Sequence, residues 1–203
     1  INKNITEEDI FTTVNSAFDL GWRTIKLYFM NGLPTETEED LEGIVDLAKR
    51  LITSQQRRKA RPGNDATSKK GKNKAKGRLN INVSFATFIP KAHTPFERCA
   101  QIPPERSLQN LAFLKKTLHH PGIKLKWQNP WMSLLEGVWA RGDQRLSKVL
   151  VSAWEKGCRL DGWSDMFNID LWKEAFKENH IDPLFYTART RSATEPLPWD
   201  HID

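Results

Sequence analysis

Two hundred and three residues, 38% of them apolar and eight of them Trp, suffice for one domain with a substantial core and exclude wholesale disorder. No apolar run approaches the ~20 residues that cross a bilayer, and no signal-peptide pattern opens the chain. Cys99 and Cys158 are too few for a disulfide scaffold, which points to a reducing, cytoplasmic setting. The chain opens on Ile1 rather than Met, as a piece of a longer protein would.

The net charge of +6 is unevenly placed. Residues 53–78 hold ten Lys/Arg against a single acid, Asp65, so the remainder is slightly acidic. This stretch has no period that could bury a face, and ordering it costs roughly 1–2 kcal/mol of backbone entropy per residue. It reads as a flexible basic insertion. Residues 57–78 would touch nucleic acid through phosphate alone, since no aromatics interleave to stack bases.

Along the chain, Thr6 to Asp9 has the spacing of a helix capping box, followed by Ile10, Val14, Ala17 and Phe18 on one face and a stop at Gly21. Ile25, Leu27 and Phe29 alternate with Thr24, Lys26 and Tyr28, predicting a strand over Arg23 to Met30. A second capping box, Thr37 to Asp40, leads a helix whose stripe is Leu41, Ile44, Val45, Ala48 and Leu51. Past the basic segment, Leu79, Ile81, Val83 and Phe85 alternate with Asn80, Asn82 and Ser84, a strand with one polar face. Pro103-Pro104 opens a helix with Leu108, Leu111, Ala112, Lys115 and Leu118 inward, and Pro121-Gly122 turns into a strand over Ile123 to Trp127. The order α-β-α-β-α-β predicts an α/β fold with parallel strands and right-handed crossovers.

From Pro130 onward the pattern is helical and holds most of the Trp, which large rings at helical spacing make a core. One helix carries Leu134, Leu135, Val138 and Trp139. A second, capped by Asp143, buries Leu146, Val149, Leu150, Ala153 and Trp154. A third carries Trp172, Ala175 and Phe176.

In a parallel sheet, ligands bind beyond the carboxyl ends of the strands. Two segments fall there. In the first, Gly32 permits close backbone approach and Pro34 fixes the turn, while the acids that follow favour a neutral or zwitterionic ligand. In the second, Lys91, His93 and Thr94 bring a cation, a titratable ring and a hydroxyl to one rim, held by Pro90 and Pro95.

Gly21 to Leu41 (GWRTIKLYFMNGLPTETEEDL) resembles the fifth strand and following turn of radical SAM enzymes, and Phe85 to Phe96 (FATFIPKAHTPF) resembles their sixth strand. Trp127-Gln-Asn-Pro, SLLEG at 133–137, ARGDQRL at 140–146, GCRLDGW at 157–163 and LPWDHI at 197–202 narrow the likeness to an uncharacterised radical SAM family that often carries a cobalamin-binding-type domain upstream. The resemblance covers nearly the whole chain outside the basic insertion. It implies the last strands of a partial (β/α)6 barrel over 1–129 and a helical extension over 130–203. It also implies an S-adenosylmethionine pocket with Met30, Gly32, Leu33 and Pro34 near the adenine and Phe88, Ile89 and Pro90 opposite. Lys91, His93 and Thr94 would face the substrate, a small molecule or RNA, with cobalamin as a further cofactor of the family. The Cys-x₃-Cys-x₂-Cys element that holds a [4Fe-4S] cluster is absent from this chain, so cluster ligands are expected upstream and the chain alone makes no radical. A different reading, an RNA- or ribosome-associated module anchored by 57–78, follows from the charge. The open strand edges predict a homodimer or a covering by the C-terminal helices.

Overall fold

The computed structural model describes residues 4–60 and 80–202, and of 57–60 the backbone only. Its elements follow the expected order: α1 (Glu7–Asp19), β1 (Thr24–Asn31), α2 (Glu38–Ala60), β2 (Asn80–Thr87), α3 (Pro104–Thr117), β3 (Ile123–Trp127), α4 (Pro130–Arg141), α5 (Leu146–Glu155), α6 (Ile169–Glu178) and α7 (Pro183–Thr187). The first capping box forms: Thr6 and Asp9 exchange backbone and side-chain bonds of 2.9 and 3.1 Å, and Gly21 turns the chain out at φ +99°.

The strands form one sheet in the order β1-β2-β3. The Asn80 N–H donates to Arg23 O and the Phe88 N–H to Asn31 O, an advance of eight residues on both strands, so β1 and β2 run parallel. The fold is thus α/β with a small parallel sheet. Both crossovers step the same way across it, and the right-handed rule for parallel connections predicts α2 and α3 on the same face.

The contacts group the chain into two compact units, one of residues 1–29, 37–85 and 112–126, the other of 30–36, 86–111 and 127–203. In the first, Ile81, Val83 and Phe85 are buried with Val14, Phe18, Leu41, Ile44, Ala48, Leu51 and Leu114. Each of the buried Val, Leu, Ile and Phe side chains contributes about 1.5–3 kcal/mol. The alternate positions Lys26, Tyr28, Lys124 and Lys126 are exposed. In the second unit α4–α7 enclose Leu134, Val138, Val149, Ala153, Trp172 and Phe176.

Several expectations shift. The helix α2 continues through 53–60 and buries Gln55, whose amide bonds to Asn15, so the basic insertion does not begin at Thr53; an amide with a partner extends the helix past its apolar stripe. The rest of that insertion, and Leu79, lie outside the described residues. On α3 the inward face is Pro104, Ser107, Asn110, Leu111 and Leu114, with Leu118 buried just past its end, while Leu108 is 40% exposed, because Ser107 and Asn110 have buried hydrogen-bond partners. On α5 the buried stripe is Leu146, Val149 and Ala153. Leu150 and Trp154 sit a step further round and are exposed, the Trp154 ring covered by the Arg159 guanidinium at 4.3 Å. Arg145 rather than Asp143 caps that helix; the Asp143 carboxylate instead accepts from the Arg145 N–H at 2.9 Å. Of the seven later Trp only Trp172 and Trp199 are buried, with Trp131 and Trp139 half-buried.

Candidate functional site

The two segments that follow β1 and β2 belong to the second unit and are joined at their start, where the Phe88 N–H donates to Asn31 O at 2.7 Å. Beneath that bond lies a closed polar network. The Asn31 side chain, wholly buried, donates to Ser107 Oγ at 2.9 Å and accepts from Asn110 Nδ2 at 2.8 Å. The Ser107 hydroxyl also meets Thr87 Oγ1 at 3.0 Å. Four buried polar side chains from both strand ends and α3 thus satisfy one another, which holds the two loop origins in fixed register.

Gly32 follows at φ +86°. A Cβ there would stand 2.5–2.8 Å from the Ile102 side chain, and the Gly32 N–H donates to Glu36 Oε2 at 2.9 Å. The glycine therefore serves close packing and a tight turn, closed again by the Glu36 N–H on Leu33 O at 2.9 Å. Of the residues expected at an adenine, Pro34 is exposed, Met30 is 39% exposed, and Leu33 and Ile89 are half-buried. Phe88 and Pro90 are buried, Phe88 meeting Phe96 edge to face at 5.4 Å.

The rim beyond differs from expectation in detail. Lys91 Nζ pairs with Glu136 at 2.8 Å, and Glu136 also accepts from Gln128. The Thr94 hydroxyl turns inward to Lys91 O at 2.8 Å and so shapes the loop. His93 is exposed at φ +56°, its backbone N–H on Glu97 Oε2 at 3.0 Å. Glu97 in turn accepts from Trp199 Nε1 at 2.8 Å, so the terminal LPWDHI stretch braces the second loop. Gln101, buried, ties the same loop to α4 and α7 through Ser133 O and Thr187 O. Sequence reasoning missed Asn31, Thr87, Ser107, Asn110 and Glu97. The signal for two of them was Ser107 and Asn110 at helical spacing on one face of α3.

Two guanidiniums are buried nearby in this unit. Arg141, at the end of α4, donates to Thr187 O at 3.4 Å, and Arg191 donates to Arg141 O and Tyr186 O. They cap the carboxyl ends of α4 and α7, where free carbonyls and the helix dipole favour cations. Burial, then repulsion from Arg191 and Arg189, pushes the Arg141 pKa down to about 10.

Of the apolar residues expected at an adenine, Met30, Leu33 and Ile89 keep accessible surface. No group of three His, Cys, Asp or Glu among the described residues could hold a metal, and neither half-buried Cys99 nor buried Cys158 has a thiol neighbour to ligate a cluster with. No helix among them is long and apolar enough to cross a membrane.

No known protein family matches the chain, and no solved structure does. It is 31% identical over 183 residues to "Uncharacterized protein MJ0966" of Methanocaldococcus jannaschii, a match covering 85% of this chain and 36% of that protein. The chain thus spans little more than a third of the length of the curated relative it matches.

Proposed function

We propose that this chain is the last-strand portion of a partial (β/α)6 radical SAM barrel, contributing the S-adenosylmethionine side of the pocket. The observation that carries the reading is the bond between Phe88 N–H and Asn31 O, which brings two loops together beyond the carboxyl ends of neighbouring parallel strands. Winding in one direction with crossover helices on a single face is also how a (β/α) barrel is built, in contrast to a doubly wound sheet. In the complete protein an upstream [4Fe-4S] cluster would supply the electron that cleaves S-adenosylmethionine to methionine and a 5′-deoxyadenosyl radical. This chain's own share is positional. Met30, Leu33 and Ile89 border the adenine, the Asn31 network fixes both loops, and Lys91, His93 and Thr94 edge the substrate side.

Methyl-resolved NMR of the chain titrated with S-adenosylhomocysteine tests this. Shifts centred on Met30, Leu33 and Ile89 are expected, and shifts confined to other methyls overturn the assignment. Anaerobic reconstitution with iron and sulfide gives a second readout: the chain alone takes up no cluster, and a stoichiometric [4Fe-4S] spectrum from it refutes the upstream placement of the ligands.

A further inference from the structure

We propose that the C-terminal strap, residues 191–200, is a positioning device that holds His93 in a left-handed turn and so sets where its imidazole stands on the rim. The device rests on the reading of the second loop as the substrate side only for what the imidazole faces. Every residue involved belongs to the second unit.

Of the three polar groups on that rim, two are already committed. Lys91 Nζ pairs with Glu136 at 2.8 Å, and the Thr94 hydroxyl donates to Lys91 O at 2.8 Å. The exposed His93 imidazole has no partner among the described residues. Its backbone, at φ +56°, lies in the left-handed region that disfavours any residue with a Cβ. His180 shares this conformation, but it follows the end of α6, where a left-handed residue is the usual helix stop. His93 ends no helix, so its conformation needs another cause.

That cause is a chain of bonds reaching almost to the end of the sequence. The His93 N–H donates to Glu97 Oε2 at 3.0 Å, and the same oxygen accepts from Trp199 Nε1 at 2.8 Å. The Glu97 N–H donates in turn to Thr94 O at 3.0 Å, which closes the turn. Trp199 is buried, with the Arg191 guanidinium 5.8 Å from its ring centre. A second set of bonds fastens the strap to the same loop. Arg98 Nη1 donates to Ser192 O and Glu195 O, and the Arg191 N–H donates to Arg98 O at 2.8 Å. The neighbours Glu97 and Arg98 thus grip the strap near both its ends, and a carboxylate that accepts from two donors is held in one place. A glycine would take this turn without strain. Histidine there puts a free imidazole on the rim, and strained backbone of this kind gathers at functional sites, where the surroundings over-determine it.

Amide hydrogen exchange and the His93 ring signals in NMR of the full chain, without ligand, test the device. Trp199→Phe keeps a buried ring but removes the indole donor, and Arg98→Met removes both bonds to the strap carbonyls. Each change is expected to speed exchange at the His93 amide about five- to tenfold, the worth of one hydrogen bond, and to move the His93 ring signals. The Gly32 amide, bonded to Glu36 in the other loop, should keep its rate, which separates release of the strap from a general loss of stability. His93→Gly leaves the strap untouched and removes the strain, so its urea midpoint should rise, and rise less in the Trp199→Phe background. The proposal is overturned if His93 exchange and ring signals match the parent in either strap variant, if Gly32 accelerates equally in both, or if His93→Gly lowers the urea midpoint. With no S-adenosylhomocysteine in the sample, these outcomes hold whether or not that compound shifts the Met30, Leu33 and Ile89 methyls.

Discussion

Replacing Asn31 by Ala removes the centre of the network that joins the two loops. The side chain is wholly buried and makes two bonds, to Ser107 Oγ at 2.9 Å and from Asn110 Nδ2 at 2.8 Å. The Ser107 hydroxyl keeps Thr87 as a partner, so its loss is mild. The Asn110 amide is left buried without its acceptor, which costs about 1–3 kcal/mol. Adding about 1 kcal/mol for the second bond gives an expected loss of roughly 2–4 kcal/mol. A Leu at 110 in the same background removes the stranded amide. In a cycle of Asn31→Ala and Asn110→Leu, the double variant should therefore cost less than the sum of the singles by about 0.5–3 kcal/mol. Urea unfolding with matched m-values reads both quantities. A loss below about 0.5 kcal/mol for Asn31→Ala, or strict additivity, refutes the view that these four side chains act as a unit.

Gly32→Ala meets both a positive φ and the Ile102 side chain; the backbone alone costs about 1–3 kcal/mol, and Ile102→Ala in the same background should relieve the clash and leave that cost, as thermal melts would show. Arg141 and Arg191 repel each other, so losing either relieves the one that remains. The double Met variant should then cost more than the sum of the singles, and a smaller cost would mean the pair is attractive. Hydrogen bonds from Arg145 hold the Asp143 carboxyl below its ordinary value. Its contribution is complete above the unfolded pKa of about 3.9 and is lost as pH falls through the lower folded value. The stability gap between the protein and Asp143→Asn should accordingly close on acidification, and a gap constant with pH removes the ion pair from the account.

Element order and strand direction were legible because each apolar period is unbroken. Ile25, Leu27 and Phe29, and Ile81, Val83 and Phe85, keep step for a whole strand, and Thr6 and Thr37 announce the helices that precede and follow. The face of α3 was misread because hydrophobicity was the only clue, and the sheet end is sealed by an amide, a hydroxyl and their partners. A helix that buries Ser107 and Asn110 hides its inward side from any apolar count. Leu150 and Trp154 failed for the converse reason: α5 buries a stripe narrower than its apolar surface. At Gly32 the close approach is made by Ile102, a residue seventy positions away that nothing local indicates. Lys91 and Thr94 were placed at the rim, yet their partners, Glu136 and the Lys91 carbonyl, depend on tertiary contact and on the turn the loop takes.

The alternation in the second strand says more than its secondary structure. A parallel strand covered on both faces reads as a continuous apolar run. Asn82 and Ser84, interleaved with Ile81, Val83 and Phe85, break that run and require one face to remain polar. The strand order then fixes which face, since two crossovers of the same hand and direction stack their helices together. A sheet wound this way keeps its polar side free for a ligand or a barrel interior. Substituting Val at Ser84 tests the point: this position is half-buried, so stability should change by less than about 0.5 kcal/mol. The enlarged apolar surface should instead appear as association in sedimentation experiments, and a marked gain in stability of the monomer would mean that this face is already covered.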